Sequence, residues 1–255
     1  MKFTFLGTGT SQGVPVIACS CAVCKSGDAR DNRLRSSLLV EAEDGWTAVI
    51  DTGPDFRQQM LREGTRRLDA VLFTHHHKDH IAGLDDVRAF NFSQGRPMEI
   101  YGSAATLQAL RHEFSYAFAE EKYPGVPNLL LNELIHEPFE LAGRPIIPIP
   151  VMHHRMPVLG FRFGDFAYIT DANFIPDSSM KLLEGLDVLV LNALRKEPHI
   201  SHFTLQQALD LVKVLQPKQA YFTHISHLLG QHEEIETSLP GGVALAYDGL
   251  CVHCK

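Results

Sequence analysis

The sequence predicts an α/β fold built as a four-layer αββα sandwich. Three observations carry that expectation. Short apolar runs with strand character alternate with stretches of helical period along the whole chain. The second half repeats this alternation in rough form, as two α/β halves would if their helices lay outside. Residues able to hold a metal stand at the ends of strand-like runs, where α/β sheets gather their ligands. No stretch between the halves has the composition of a linker, so residues 1–255 are expected to form one domain.

Lys2–Leu6 reads as the first strand and runs into the glycine-rich turn Gly7-Thr-Gly-Thr-Ser-Gln-Gly13. That turn lacks the spacing of a P-loop or of a dinucleotide fingerprint, and is expected to line a site as a tight loop. Leu38–Glu41 and Trp46–Asp51 form a hairpin around Asp44-Gly45. Pro54 opens a helix over Pro54–Glu63, and Leu68–Phe73 is the next strand. Helices follow at Leu84–Phe90 and Ala104–His112, with a strand at Met98–Tyr101 between them. The segment 114–127 is aromatic, acidic and broken by Pro124 and Pro127. We read it as a lid over the site, with irregular core packing as the alternative. Further strands fall near Ile146 and at Gly160–Phe163, Phe166–Thr170, Asp187–Asn192 and Gln219–Thr223, alternating with helices at Asp177–Glu184 and Thr204–Leu215.

At 255 residues and 45% hydrophobic, the chain can bury one large core or two fused half-domains. A formal net charge of −7 without any Lys/Arg-rich run argues against a grip on long nucleic acid and for a small substrate. Met1–Gly7 is too short and too soon broken by glycine for a signal peptide, and no apolar run approaches the roughly 20 residues of a membrane helix. The five cysteines include a tight cluster suited to metal rather than to disulfides, which fits a reducing compartment. The expectation is a cytoplasmic protein with no membrane partner; a homodimer is compatible with it.

The chemistry concentrates in Thr74-His-His-His-Lys-Asp-His80, which gives His75, His77, Asp79 and His80 in the pattern H-x-H-x-D-H. Imidazole and carboxylate are ligands for Zn²⁺, Mn²⁺ or Fe. Four of them within six residues cannot converge on one ion from a regular element. On a loop leaving the strand, the first pair serves one ion and the second pair a neighbouring ion. Cys19-Ser-Cys-Ala-Val-Cys24 supplies three thiolates for a tetrahedral structural zinc, with ordinary buried thiols as the alternative. His227 is the candidate fourth ligand.

The H-x-H-x-D-H motif resembles the signature of the metallo-β-lactamase superfamily. The resemblance implies three further ligands in the order His, Asp, His. The chain offers His153 after Pro148–Met152, Asp171 after Phe166–Thr170 and His224 after Gln219–Thr223. It implies two divalent ions, Zn or Mn: His75, His77 and His153 on one, Asp79, His80 and His224 on the other, Asp171 bridging, and a hydroxide between them. His154, beside His153, stays open as the alternative ligand. In the superfamily an aspartate such as Asp51 supports the metal loop from behind; by position it could equally cap the helix that follows. Within the superfamily, Gly7-Thr-Gly9 with Ser11-Gln-Gly13, the cysteine cluster, His202 before a helix and Thr223-His-Ile-Ser-His227 resemble most closely the PhnP-like phosphoribosyl cyclic phosphodiesterases of the carbon–phosphorus lyase pathway.

That resemblance implies a metal-dependent phosphodiesterase acting on a small, cyclic-type phosphodiester. His202 would protonate the leaving oxygen, or else merely cap the helix beside Thr204. Three other readings stay open: a ribonuclease Z-like endonuclease, a bimetal hydrolase of a lactone or thioester, and a non-catalytic zinc protein. Of the remaining histidines among the 14, His76 should point away from the metals, and His112, His136, His199, His232 and His253 are expected at the surface. Cys251 and Cys254 are expected on a final strand, one thiol turned inward.

Overall fold

Strands β1 (Lys2–Gly7), β2 (Ser37–Glu41) and β3 (Thr47–Ile50) form an antiparallel meander in the computed structural model, which describes residues 1–254. β4 (Ala70–Leu72), β5 (Met98–Gly102) and β6 (Leu129–Glu133) then add to β3 in parallel. The second sheet repeats the scheme. β7 (Phe139–Leu141), β8 (Arg144–His153), β9 (Met156–Phe163) and β10 (Phe166–Tyr168) are antiparallel neighbours. β11 (Val188–Asn192), β12 (Gln219–Thr223) and β13 (Val243–Leu245) extend β10 in parallel. A last strand, β14 (Cys251–His253), returns to the first sheet beside β1.

Helices cover both outer faces, giving the expected αββα layering. On the first sheet these are α1 (Phe56–Glu63), α2 (Lys78–Ile81), α3 (Arg88–Gln94) and α4 (Ala104–Glu113). On the second they are α5 (Asp177–Lys181), α6 (Leu205–Leu215) and α7 (His232–Ser238). Strand alternation sorts the apolar residues into three cores. Phe3, Phe5, Leu38, Val40, Ala48 and Ile50 face the second sheet's Phe161, Phe163, Phe166 and Tyr168. Phe3 stacks on Phe166 across that gap at 3.6 Å. Leu39, Val49 and Val71 point the other way, against Phe56, Phe90 and Leu110 of the helices. Ile169, Leu189 and Leu191 do the same against Ala208 and Ile235.

β8 carries prolines at 145, 148 and 150, residues that usually end a strand. The structure shows why they are tolerated. β7 pairs only with residues 144–146 of β8, so Pro148 and Pro150 lie beyond its cover. Met152, in the same alternation, sends its N–H outward to the Phe174 carbonyl. Pro148 and Pro150 therefore lack N–H groups only where no ladder bond is made.

Several expectations need correction. The start of the segment 114–127 follows the core-packing alternative, while residues 119–124 are exposed. Phe114 and Ala117 are buried in the helix-side core, and the Tyr116 hydroxyl donates to Asp85. Leu84–Phe90 is divided into a 3₁₀ turn at Leu84–Val87 and the start of α3. His232 is buried, not superficial: its Nδ1 accepts from Arg33 Nη2 at 2.9 Å and its backbone N–H donates to Asp31 at 2.7 Å. His199 is half-buried, 5.0 Å from the His202 ring. His112, His136 and His253 are exposed, as is Cys251, while Cys254 is buried. Among the described residues no helix is long and apolar enough to cross a membrane.

Candidate metal centre

The site forms where strands of both sheets end. Asp51, Asp171 and His224 each follow a strand end, and each adopts a left-handed backbone, with φ of 63°, 55° and 55°. Such a conformation costs a non-glycine residue on the order of 1–3 kcal/mol, so surrounding contacts must enforce it at all three positions. Two glycines let the metal loop settle. A Cβ at Gly53 would lie 2.1 Å from the Asp79 carbonyl, and one at Gly83 would lie 2.1 Å from the Gly53 carbonyl.

Asp51 is fully buried behind this loop. Its carboxylate accepts from Thr74 N at 2.9 Å, from Thr74 Oγ1 at 2.7 Å and from His80 Nδ1 at 2.8 Å. It orients ligands and does not cap α1, whose first amide bonds the Gly53 carbonyl instead. Because Thr74 Oγ1 donates to Asp51, it accepts from His75 Nδ1 at 2.9 Å. His153 Nδ1 donates to the Ser201 carbonyl at 2.8 Å. Three imidazoles thus have their Nδ1 proton fixed, which leaves the Nε2 lone pair as the free donor. Ser36 Oγ donates to the Gly9 carbonyl and lies 3.1 Å from His224 Nδ1, the nitrogen that also faces Asp171, while His224 Nε2 lies 3.3 Å from Thr10 Oγ1.

Two convergent sets result. His75, His77, His153 and Asp171 present ligand atoms within 4.8 Å of one another, and Asp79, His80, Asp171 and His224 do the same. Asp171 belongs to both. Its Oδ2 lies 3.7 Å from His75 Nε2 and 3.3 Å from His80 Nε2, and its Oδ1 lies 2.9 Å from His224 Nδ1. His80 Nε2 is 3.2 Å from Asp79 Oδ2. His153, not His154, enters the set, and His76 enters neither.

The electrostatics favour bound cations. Burial opposes charge on His80, yet Asp171, Asp79 and Asp51 together raise it well above its ordinary value. Burial also opposes ionisation of Asp171, but His224 and His80 hold it well below the carboxylate range. Burial and the neighbouring His80 push His75 well below its usual value. The residues fit a pair of divalent ions on one further ground. His75 Nε2 and His80 Nε2 are buried, have no hydrogen-bond partner, and face the same carboxylate oxygen.

The second cluster joins Cys19, Cys21 and Cys24 to His227. The three sulfurs stand 3.4, 3.4 and 3.5 Å from His227 Nδ1. A zinc with Zn–S of about 2.3 Å and Zn–N of about 2.05 Å at tetrahedral angles places S and N about 3.5–3.6 Å apart. The spacing fits that ion. Cys21 is lowered to about 6 by the Cys24 amide and His227, whereas burial raises Cys24 to about 11.

His202 stands inside the wall of the site. Its ring centroid is 4.6 Å from that of His153 and 4.8 Å from that of His224, and its Nδ1 is buried without a partner. It does not cap α6; Thr204 does, through a capping box with Gln207. Burial, and next the neighbouring His224, lower it to about 3. A cavity of about 480 Å³, lined by His77, His153, His154, Arg155, Ile200 and Ser201 among others, opens at the His77 and His153 edge of the site. Neither Arg155 nor Ser201 stands out in the sequence as a candidate site residue. Ser201 contributes a backbone carbonyl, which no residue-type pattern reveals.

Residues 47–225 match the Beta-lactamase superfamily domain. An octanoyltransferase of Porphyromonas gingivalis is 39% identical over 252 residues, covering 98% of this chain and 51% of that protein. A coenzyme PQQ synthesis protein B of Methylorubrum extorquens is 32% identical over 123 residues, covering 43% of this chain and 40% of that protein. The chain spans about half the length of the first of these relatives. Among solved structures, a diphosphatase from the PhnP family superposes with a TM-score of 0.93 at 46% identity, covering 100% of this chain and 98% of that one. Human tRNase Z, short form, superposes with a TM-score of 0.70 at 20% identity, covering 99% of each chain, a likeness of fold alone.

Proposed function

This chain belongs to the metallo-β-lactamase superfamily, PhnP-like within it, and on that premise we propose that it is a metal-dependent phosphodiesterase acting on a small phosphodiester. The observation that carries the reading is Asp171, one carboxylate shared by two histidine-rich ligand sets. Two divalent ions, Zn or Mn, would supply there the Lewis acidity that brings the pKa of water from 15.7 down to about 7. His75, His77 and His153 would hold one of them and Asp79, His80 and His224 the other, with Asp171 available to both. Cys19, Cys21, Cys24 and His227 would hold a structural zinc.

The chain's own groups then do the rest. Asp51, Thr74 and the Ser201 carbonyl keep the imidazoles of His80, His75 and His153 aimed, so that little reorganisation accompanies reaction. Arg155 and His154 at the mouth suit an anionic ester. His202 donates toward the departing oxygen. The acyl transfer named for the P. gingivalis relative belongs to a chain about twice as long. Here no thiol lies in the dinuclear cluster that could carry an acyl group.

Assaying reconstituted protein against a panel of phosphodiester, phosphomonoester, lactone and thioester substrates tests the reading. The expected result is three metal equivalents per chain, a preference for the phosphodiester, and loss of hydrolysis in Asp171→Ala and His77→Ala. A preference for the lactone or thioester overturns it.

A further inference from the structure

Beside the cavity over the ligand sets lies a second one, of about 360 Å³. It is lined by His76, Ala105, Glu133, Ile135, His136 and Met156, with the apolar Val158 and Leu159 at its base. Met156 lines both cavities, and His76 adjoins His77, a ligand residue, with ring centroids 6.1 Å apart. Leu159 N donates to the Thr74 carbonyl at 3.0 Å, which fixes this wall to the metal loop. The groove therefore adjoins the site across Met156 and is held in register with it.

The two cavities differ in chemistry. The one over the ligands carries Arg155, and among the described residues neither Lys nor Arg lines the groove. The groove's single charge is the Glu133 carboxylate. The start of α4 borders it, but Ser103 Oγ already caps that helix by accepting from Thr106 N. A second phosphate would meet a carboxylate there and no cation. Apolar side chains, two imidazole faces and one acceptor suit an uncharged ring with hydrogen-bond donors, and the volume lies within the roughly 300–1,000 Å³ of small-molecule pockets. Ile135, 68% exposed at the lip, offers further apolar surface.

We propose that this groove holds an uncharged, ring-bearing group of the substrate, of the nucleobase class, while the phosphodiester occupies the neighbouring cavity. The inference rests on the phosphodiesterase reading for its orientation. It gives that reading a substrate class: an ester carrying one neutral ring in place of a second anionic group.

The test compares two esters with the same leaving group, p-nitrophenyl thymidine 5′-phosphate and methyl p-nitrophenyl phosphate. The ratio of their kcat/KM values is measured in the wild type, in Ala105→Trp, which fills the groove, and in Ile135→Asp, which charges its lip. The expected result is a wild-type preference for the thymidine ester that falls roughly tenfold or more in both variants. A ratio that stays unchanged in both overturns the proposal. Ligand-observed NMR with thymidine alone needs no turnover. Binding in the wild type and its loss in Ala105→Trp supports the groove, and no binding in the wild type overturns it. If neither ester is hydrolysed, the phosphodiesterase reading falls, and the groove is judged by thymidine binding.

Discussion

His202 touches two ligand rings, and its buried Nδ1 bonds to nothing in the protein. Held near a pKa of about 3, it is neutral at neutral pH in the free protein. To act as a proton donor it must take up a proton, which a negative substrate beside it would favour. If it protonates the leaving oxygen, His202→Ala slows hydrolysis by roughly 10²–10⁴-fold with an alkoxide leaving group. The loss shrinks with p-nitrophenolate, which departs without a proton. The measurement is the wild-type to mutant rate ratio across a leaving-group series at fixed metal content; a flat ratio removes His202 from the chemistry. Convergence of the seven dinuclear-set residues was legible because four share the H-x-H-x-D-H motif, while His153, Asp171 and His224 each follow a strand-like run. The choice of His153 over His154 needed the structure, where β8 ends with His153 buried and His154 turns outward at φ 57°. The role of Asp51 was half legible: its place after a strand was plain, but its three bonds to Thr74 and His80 were not.

The loop at 19–24 has no regular structure of its own, and Ile17 just before it is 94% exposed. Its hold on the fold is the contact of three thiols with His227, itself three residues past His224. Cys21→Ser is expected to lower Tm on the order of 5 °C, taking about 2–4 °C per kcal/mol for a chain of this size, and to release one zinc while turnover persists. A variant that keeps its Tm but loses all turnover would place the cluster in the chemistry. The longer elements of both sheets were readable from period and punctuation. β6, β7, β13, α7 and α2 carry no such signal, and α2 places Asp79 and His80 on a short helix where the sequence predicts a loop. β7 and β13 have three residues each, β6 has none buried, and α7 carries a single buried apolar side chain, Ile235. Their pairing comes from neighbours rather than from their own composition.

Across the whole molecule, the two chain ends are clasped beneath the site by a buried polar network. Arg33 Nη1 donates to Thr8 Oγ1 at 2.9 Å and to the Ala246 carbonyl at 2.6 Å, while its Nη2 donates to His232. Asp248 accepts from Thr8 N, Thr8 Oγ1 and Leu34 N. Partners some 200 or more positions apart leave no local signal, which is why His232 read as a surface residue. Burial, and next Arg33, lower His232 to about 4, below its ordinary value near 6.5. Its neutral form is the folded one, so its contribution to stability is present above about pH 6.5 and is lost as pH falls toward 4. Burial raises Asp248 to about 6, and its contribution runs the other way, present at low pH and lost as pH rises through about 6. The pH profile of the wild type alone therefore mixes two opposed effects, together with every ligand in the site. Subtracting a variant separates them. His232→Gln keeps an acceptor for Arg33 and removes the titration, while Asp248 and the ligands remain common to both proteins. Between pH 7 and pH 4, urea unfolding should show the wild type losing on the order of 3 kcal/mol relative to His232→Gln. A stability gap between the two that is the same at pH 7 and pH 4 would mean that His232 does not titrate with unfolding, and that the clasp holds by packing and its remaining bonds alone.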